Sequence, residues 1–496
     1  GLLNACYALP SDQRPRLVGR RDEQGAVLLD NAKPITADEI TLVIAQRIKS
    51  FYDSDLTQSR VKQLKASVGV LADLPSLTMQ RIPYFCSGCP HNTSTKIPEG
   101  SRGLGGVGCH YMVTWMDRET YTFCQMGGEG ITWVGQAPFV KTNHIFQNLG
   151  DGTYFHSGST AIRAAVSSNT NITYKILFND AVAMTGGQPV DGSLTVDQIS
   201  RQVYNEGVAR IAIVTDEPDK YKSDMHFADG TTIHDRKELD KVQREFREIK
   251  GVSVLIYDQT CASEKRRRRK RGNFPDPAKR YFINNRVCEG CGDCGVQSNC
   301  ISIQPLETDF GRKRKIDQSS CNKDFSCANG FCPSFVTVLG GKIRKASVMR
   351  SKNMSPKSEE IPEPIFPILP ESGSYGLIVT GVGGTGVVTI GAMLGMAAHI
   401  QKLGVSIVDQ LGFAQKGGAV VTHVRLSKDQ DQIHASRVNN GMADAILACD
   451  MLVAGSNKVL DSLNPGKTRA VINTAKNYTG DFTLNSDLDY PTDILI

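Results

Sequence analysis

Seven of the fourteen cysteines in this chain fall between Cys288 and Cys332, and that crowding constrains the fold more than any other feature. Loops holding so many thiols bury little apolar surface, so disulfides or metal must hold them. Nothing at the start of the chain reads as a secretory leader, which favours metal over disulfides. The first three thiols stand at a repeated spacing, Cys288-x₂-Cys291-x₂-Cys294, and the last precedes a proline, Cys332-Pro333. Zinc knuckles are the alternative, but zinc ligands come as separated pairs rather than as a run of three.

Two runs of this kind, with the last cysteine before proline, are the spacing of a two-cluster ferredoxin, in which that cysteine serves the cluster of the opposite run. This places Cys288, Cys291, Cys294 and Cys332 on one [4Fe–4S] cluster. The second run reads Cys321-x₂-Asp324-x₂-Cys327, with Asp324 where a middle cysteine would stand. Cys300, Cys321, Cys327 and Asp324 are therefore expected on a second cluster, of four irons with an oxygen ligand or of three irons.

The remaining sequence is that of an α/β protein. Strand-like runs (Thr142–Leu149, Ile172–Phe178, Arg210–Thr215, Val252–Tyr257) alternate with helix-like ones (Ser159–Ser167, Val196–Glu206, Lys237–Lys250), which implies βαβ units and a parallel sheet. A length of 496 residues allows several domains. The divisions expected are a tail of a preceding domain over 1–80, containing a helix at Ala37–Tyr52, and an α/β domain over 81–263. A basic linker with the Cys-rich segment follows over 264–350, then a Pro/Ser/Glu-rich linker over 351–374 and a second α/β domain over 375–496. The chain opens on Gly1 and its last domain stops without an obvious terminal element, so it reads as the middle of a longer polypeptide. Residues 376–398 are uncharged, but seven glycines and an early break argue against a membrane helix.

The net charge of +6 (57 basic minus 51 acidic residues) owes much to one run, Lys265–Arg271. Nucleic-acid binders spread basic residues over a face and interleave aromatics, and this block does neither. It reads as a solvated linker or as a patch steering an acidic electron carrier.

Three further patterns carry chemistry. Gly150-Asp151-Gly152 ends a strand and opens a helix, and Asn179-Asp180 ends the next strand. Oxygen side chains on adjacent strand ends suit Mg²⁺ shared with phosphate, and glycines let the backbone approach it; an ordinary βα turn is the alternative. His156 stands in the opening turn as a proton donor or acceptor, or as a structural histidine. Gly127 and Gly128, in Met126–Gly130, form a loop that either lies against a cofactor or is simply a tight turn. Cys86-x₂-Cys89, with Cys109 and Cys261, could close an S₄ site for zinc or an iron–sulfur cluster. Cys6, Cys124 and Cys449 are expected as small buried hydrophobes. Gly381-x-Gly383-Gly384-x-Gly386 after a strand is a weak dinucleotide fingerprint, equally a tight βα connection.

Together these elements resemble the 2-oxoacid:ferredoxin oxidoreductases, most closely the long fused bacterial indolepyruvate type. The resemblance is carried by FCSGCPHNTST (Phe85–Thr95), GVGCHYM (Gly106–Met112), NLGDGTYFHSG (Asn148–Gly158) and ILFNDAVAMTGGQP (Ile176–Pro189). It continues in YDQTCASEK (Tyr257–Lys265), CEGCGDCG (Cys288–Gly295) and GVGGTGVVTIG (Gly381–Gly391). It implies thiamine diphosphate with Mg²⁺ on Asp151, Asn179 and the carbonyl of Ala181, and Gly127, Gly128, Gly150 and Gly152 against the cofactor. It further implies a proximal [4Fe–4S] cluster on Cys86, Cys89, Cys109 and Cys261, a ferredoxin-like relay over 281–338, and a γ-type final domain on the coenzyme A side, which displaces the dinucleotide reading. The implied reaction is oxidative decarboxylation of a 2-oxoacid to acyl-CoA, with electrons leaving to ferredoxin. The implied setting is a cytoplasmic homo-oligomer with no nucleic-acid or membrane partner. The pyrimidine-activating glutamate of such enzymes comes from a domain not found in this sequence. The competing readings are a non-oxidative thiamine diphosphate decarboxylase with structural zinc, and a metal-cluster nucleic-acid-binding protein.

Overall fold

Seven parallel strands form the main sheet of the computed structural model, which describes residues 2–343 and 369–495 apart from 16, 31, 33, 73–76, 78, 191, 193 and 223, with only the backbone described for 2–3 and 66–72. The strands are β1 (Gly103–Leu104), β2 (Thr120–Tyr121), β3 (Ile145–Gly150), β4 (Ile172–Phe178), β5 (Arg210–Thr215), β6 (Thr232–Asp235) and β7 (Val252–Asp258). Their order is β2-β1-β3-β4-β7-β5-β6. β4 and β5 coincide with the apolar runs read from the sequence, as does the helix Ser159–Ser167. β4 and β7 are buried along nearly their whole length, as continuous apolar runs in a parallel sheet must be. The core on one face joins Leu149, Ile162, Tyr174, Ile176, Ile199, Ile213, Val254 and Ile256. Because β3, β4 and β7 are parallel neighbours, the residues after them, Asp151, Asn179 and Gln259–Cys261, emerge side by side at one edge.

The Cys-rich segment is built from β8 (Lys279–Ile283), β9 (Ile303–Thr308), β10 (Gly311–Ile316) and β11 (Phe335–Leu339). β9 and β10 form one antiparallel pair, and β8 and β11 close around them as another. Short helices, Asp293–Ser298 and Ser326–Ala328, sit in the two loops that carry the cysteines.

The last unit is a mixed five-stranded sheet of β12 (Tyr375–Val382), β13 (Gly404–Leu411), β14 (Ala419–Ser427), β15 (Ala445–Ala448) and β16 (Arg469–Ile472), in the order β13-β14-β12-β15-β16. The uncharged stretch at 376–398 is thus a strand followed by the helix Val387–Ile400. Among the described residues no helix is long and apolar enough to cross a membrane. Residues 351–368, most of the expected Pro/Ser/Glu-rich linker, lie outside the described residues.

The first eighty residues contain, besides Ala37–Ile48, a helix at Asp55–Ala72 that docks on the last unit, with Arg60 and Gln63 donating to the carbonyls of Asn440 and Gly441 (2.7 Å each). One expectation is corrected. The basic run is no solvated linker but part of the helix Ala262–Lys270, which starts directly behind Cys261. Its cations are engaged within the chain: Lys265 with Asp216 (2.8 Å), Arg266 with the Ser319 carbonyl (2.5 Å), Arg268 with Asp180 (2.7 Å) and Arg269 with the Asn322 carbonyl (2.8 Å). Periodicity missed this helix because its mean hydropathy is low on every face; the contacts around it, not an apolar stripe, hold it in place.

The same junction is locked by Arg236, which donates to Asp324 Oδ1 (2.5 Å) and to the Asp324 carbonyl (2.8 Å). Both side chains are largely buried, so removing the cation strands a carboxylate away from water. Arg236→Ala should cost roughly 3 kcal/mol at this contact, and limited proteolysis should then cut within 264–343 at least tenfold faster while the parallel sheet stays intact. Unchanged cleavage would show that the pair does not fasten the two units.

Candidate functional site

At the carboxyl edge of the main sheet, the buried carboxylate of Asp151 joins the ends of β3 and β4. Its Oδ2 accepts the backbone N–H groups of Asn179 (2.9 Å) and Asp180 (3.0 Å), and its Oδ1 that of Gly152 (2.9 Å). Burial raises its pKa to about 6 although these three donors pull the other way. The Oδ1 of Asn179 is buried with no hydrogen-bond partner among the described residues. An orphaned amide oxygen beside a donor-held carboxylate is the arrangement a hard cation completes. Ala181 is buried on the same loop. Asp180 turns back through a positive φ of 58° to pair with Arg268.

The helix after Asp151 opens with a π-turn, Tyr154–Gly158, a form often found at functional sites. His156 stands exposed on that turn with Nδ1 2.8 Å from Ser157 Oγ. Ser157 Oγ in turn occupies the space a side chain at Gly127 would need, and Gly127 holds a positive φ of 89°. That juxtaposition brings the Gly127–Gly128 loop onto the helix that carries His156. Gly152 faces open space, and a Cβ at Gly150 would stand 3.2 Å from the His110 ring. The glycines therefore leave an uncrowded backbone around Asp151, a cradle that fits a diphosphate at this strand edge.

Cys86, Cys89, Cys109 and Cys261, 175 positions apart in sequence at the extremes, line one cavity of about 250 Å³. The Cys261 N–H donates to the Asn179 carbonyl (3.0 Å), so the cysteine site and the Asp151 loop are directly joined, and Asn179 lines the same cavity. Burial, with the neighbouring thiols, raises Cys89 well above the usual thiol range and Cys109 to about 12. Among the described residues no three His, Cys, Asp or Glu side chains converge on a single-ion site. A set of four thiols lining one pocket fits a cluster.

In the Cys-rich segment, Cys288, Cys291 and Cys294 act on one another's thiols and lie together. Cys300, Cys321 and Cys327 form a second group, and burial followed by these neighbours pushes Cys327 far upward. Cys291 is exposed, and Cys332 is half-buried. Asp324 lies beside the second group, but its Oδ1 accepts from Arg236 and Gln259 and its Oδ2 from Ser326. Its oxygens thus also anchor the loop to Arg236, Gln259 and Ser326. Cys6, Cys124 and Cys449 are half-exposed rather than buried.

Three site residues escaped the sequence. His110 lies between Cys109 and the glycines Gly106, Gly108 and Gly150, with its Nε2 buried and unpartnered. Burial lowers it to about 4, so it is neutral. Glu129 is fully buried, with Oε2 accepting the Gly127 N–H (2.7 Å). Lys416 reaches the cysteine cavity from the last unit. The first two sat within quoted motifs; nothing in the sequence pointed to Lys416.

Comparison with known proteins agrees with this division. Residues 106–257 match the family described as thiamine pyrophosphate enzyme, C-terminal TPP binding domain, and residues 376–492 that described as pyruvate ferredoxin/flavodoxin oxidoreductase. The indolepyruvate oxidoreductase subunit IorA of Thermococcus kodakarensis is 26% identical over 274 residues, 51% of this chain and 40% of that protein. The subunit IorB of Methanothermobacter thermautotrophicus is 35% identical over 81 residues, 16% of this chain and 39% of that protein. This chain thus spans well under two thirds of the curated relatives it matches. A 2-oxoglutarate:ferredoxin oxidoreductase from Magnetococcus marinus overlaps 39% of this chain and 68% of its own at 16% identity and a TM-score of 0.29, too loosely to compare sites.

The raised pKa of Asp151 has a consequence for stability. A carboxyl whose folded pKa lies near 6 favours the protonated form, so its contribution is present below pH 4 and is lost as pH rises through 6. Metal-free Asp151→Asn should therefore gain on the wild type by roughly 2 to 3 kcal/mol between pH 4 and 7, read from urea midpoints. A pH-independent difference would mean that Asp151 titrates normally.

Proposed function

We propose, for a chain that belongs to the 2-oxoacid:ferredoxin oxidoreductase family, the oxidative decarboxylation of a 2-oxoacid, of the indolepyruvate, aryl or branched-chain type, to acyl-CoA and CO₂ with electrons delivered to ferredoxin. The observation that carries this reading is Asn179. Its unpartnered amide oxygen belongs to the Asp151 loop, its carbonyl accepts from Cys261, and it lines the cavity of four cysteines. A carbon-bond-breaking site and a thiolate site are thereby adjacent, as single-electron oxidation of a decarboxylated substrate requires.

Thiamine diphosphate, when bound, supplies the carbon nucleophile and electron sink for decarboxylation, and iron–sulfur clusters accept the electrons one at a time. The chain's part is to bind and orient. Asp151, Asn179 Oδ1 and the Ala181 carbonyl are the ligands for Mg²⁺, and the backbone at Gly150 and Gly152 admits the diphosphate. Gly127 and Gly128 carry the loop that lies against the cofactor, and His156, exposed on the π-turn, is positioned to exchange a proton near the substrate carbonyl. Cys86, Cys89, Cys109 and Cys261 hold the proximal cluster. Cys300, Cys321 and Cys327 hold a second through three thiolates, with three irons or with one iron lacking a cysteine. Cys288, Cys291, Cys294 and Cys332 hold the third, at the surface where Cys291 is exposed. The relay reading of 281–338 draws support from the contact between the loops. Asn322 donates to the Ser87 carbonyl (2.8 Å), and Ser302 to Ser87 Oγ (2.6 Å). The neutral His110, with its free Nε2, is placed to donate or accept one hydrogen bond beside the cofactor.

Two measurements test this reading. Anaerobically purified protein should be brown and hold iron and acid-labile sulfide, and Cys261→Ala should lose about one cluster's share while keeping the rest; colourless protein with zinc would overturn it. Asp151→Ala should abolish Mg²⁺-dependent thiamine diphosphate binding, at least a hundredfold by calorimetry, and retained affinity would place the cofactor elsewhere.

A further inference from the structure

Lys416 stands on the loop between β13 and β14, a loop that the last unit pushes into the first. Its short helical turn, Ala414–Lys416, lies between two residues with positive φ, Phe413 and Gly417. The Phe413 ring stacks on Tyr111 and meets Trp115 edge-on, and the Tyr84 N–H donates to the Lys416 carbonyl (3.1 Å). The loop is therefore held at both ends by the first domain. The Lys416 side chain is 7% exposed, lines the cavity of Cys86, Cys89, Cys109 and Cys261, and places its Nζ 3.7 Å from Cys86 Sγ. Among the described residues it is the one lysine or arginine lining that cavity. Among the described residues its ammonium reaches a cysteine sulfur, that of Cys86, and no carboxylate.

A buried lysine without a carboxylate needs another anion, and the four cysteines provide one once they are held as thiolates. We propose that Lys416 is the positioning residue of the four-cysteine site, carried in by the C-terminal domain to hold Cys86 by a charge-assisted hydrogen bond and to set how readily the iron held there accepts an electron. The proposal rests on the reading of that cavity as a cluster site. Each electron adds one negative charge at a site that excludes water, so a fixed cation at hydrogen-bond range favours the reduced form over the oxidised one. Seating the C-terminal domain and poising the cluster then become one event.

The test is an EPR-monitored redox titration of the anaerobically purified full chain with its clusters. Lys416→Met should lower the reduction equilibrium constant of the proximal cluster at least tenfold, 59 mV for one electron, with the other clusters unmoved. Lys416→Arg, which keeps the charge, should stay within threefold of the wild type. Iron lost from the Met variant and retained in the Arg variant would also support the assignment. An unchanged or raised potential in Lys416→Met, an equal fall in Lys416→Arg, or iron lost from both would overturn it. A wild type without iron would instead sink the cluster reading itself, which the iron and sulfide content reports separately.

Discussion

One carboxylate oxygen accepting two consecutive backbone N–H groups organises the working edge of this protein. Asp151 follows β3, and the amides it takes belong to Asn179 and Asp180, which follow β4. In a parallel sheet the loops after neighbouring strands have no ladder to hold them, and their amides need partners. Spending the Asp151 carboxylate there fixes the second loop relative to the first. It also leaves the Asn179 side chain turned inward with its oxygen unsatisfied. The third strand end joins through the Cys261 amide on the Asn179 carbonyl. Thus three strand ends, a cation-seeking oxygen and a thiol are placed by three hydrogen bonds from backbone N–H groups rather than by side-chain packing.

The second constraint is the way charge joins the three units. The arginines of Ala262–Lys270 reach the carbonyls of Ser319 and Asn322 in the loop bearing Cys321, and Arg236 reaches Asp324 in the same loop. Gly88, between Cys86 and Cys89, holds a positive φ of 65°, and a side chain there would stand 2.9 Å from the Asp324 Cβ. The proximal cysteine loop and the second cysteine group therefore touch at a position that only glycine suits. Asp324 is fastened on one side by Arg236 and Gln259 and presses against Gly88 on the other, which accounts for an aspartate at a place where spacing alone expects a thiol.

Much of this was legible in the sequence. Continuous apolar runs gave β4 and β5 to the residue, and the parallel order brought Asp151 and Asn179 to one edge as their places after consecutive strands required. The motif around Cys86, Cys89, Cys109 and Cys261 gave a donor set whose members converge in space. What was not legible follows from interactions without a period. The helix Ala262–Lys270 has no apolar stripe, and its contacts are with carbonyls and carboxylates far away in the chain. Spacing cannot show that Arg236, 88 positions upstream, also holds Asp324. Lys416 sits in a glycine-rich loop of another unit, 330 positions from the thiol it contacts.

Burial explains why that distant lysine matters. His91 and His110 pack edge to face, 5.7 Å between ring centroids, in the wall between the cysteine cavity and the Asp151 loop. Desolvation holds both rings neutral, with His110 near 4. Two histidines beside four thiolates would, if charged, offset part of the negative charge that the thiolates and each added electron bring. Kept neutral, they pack and offer hydrogen bonds without contributing charge. Burial alone would push the Lys416 ammonium down as well, yet the surrounding thiols outweigh it and keep it charged above the usual lysine range. The site thus holds one permanent cation, and that cation belongs to a different folding unit from the thiols it serves. A unit arranged in this way cannot carry its full electrostatic character until the C-terminal sheet is docked, whatever the state of the parallel sheet beneath it.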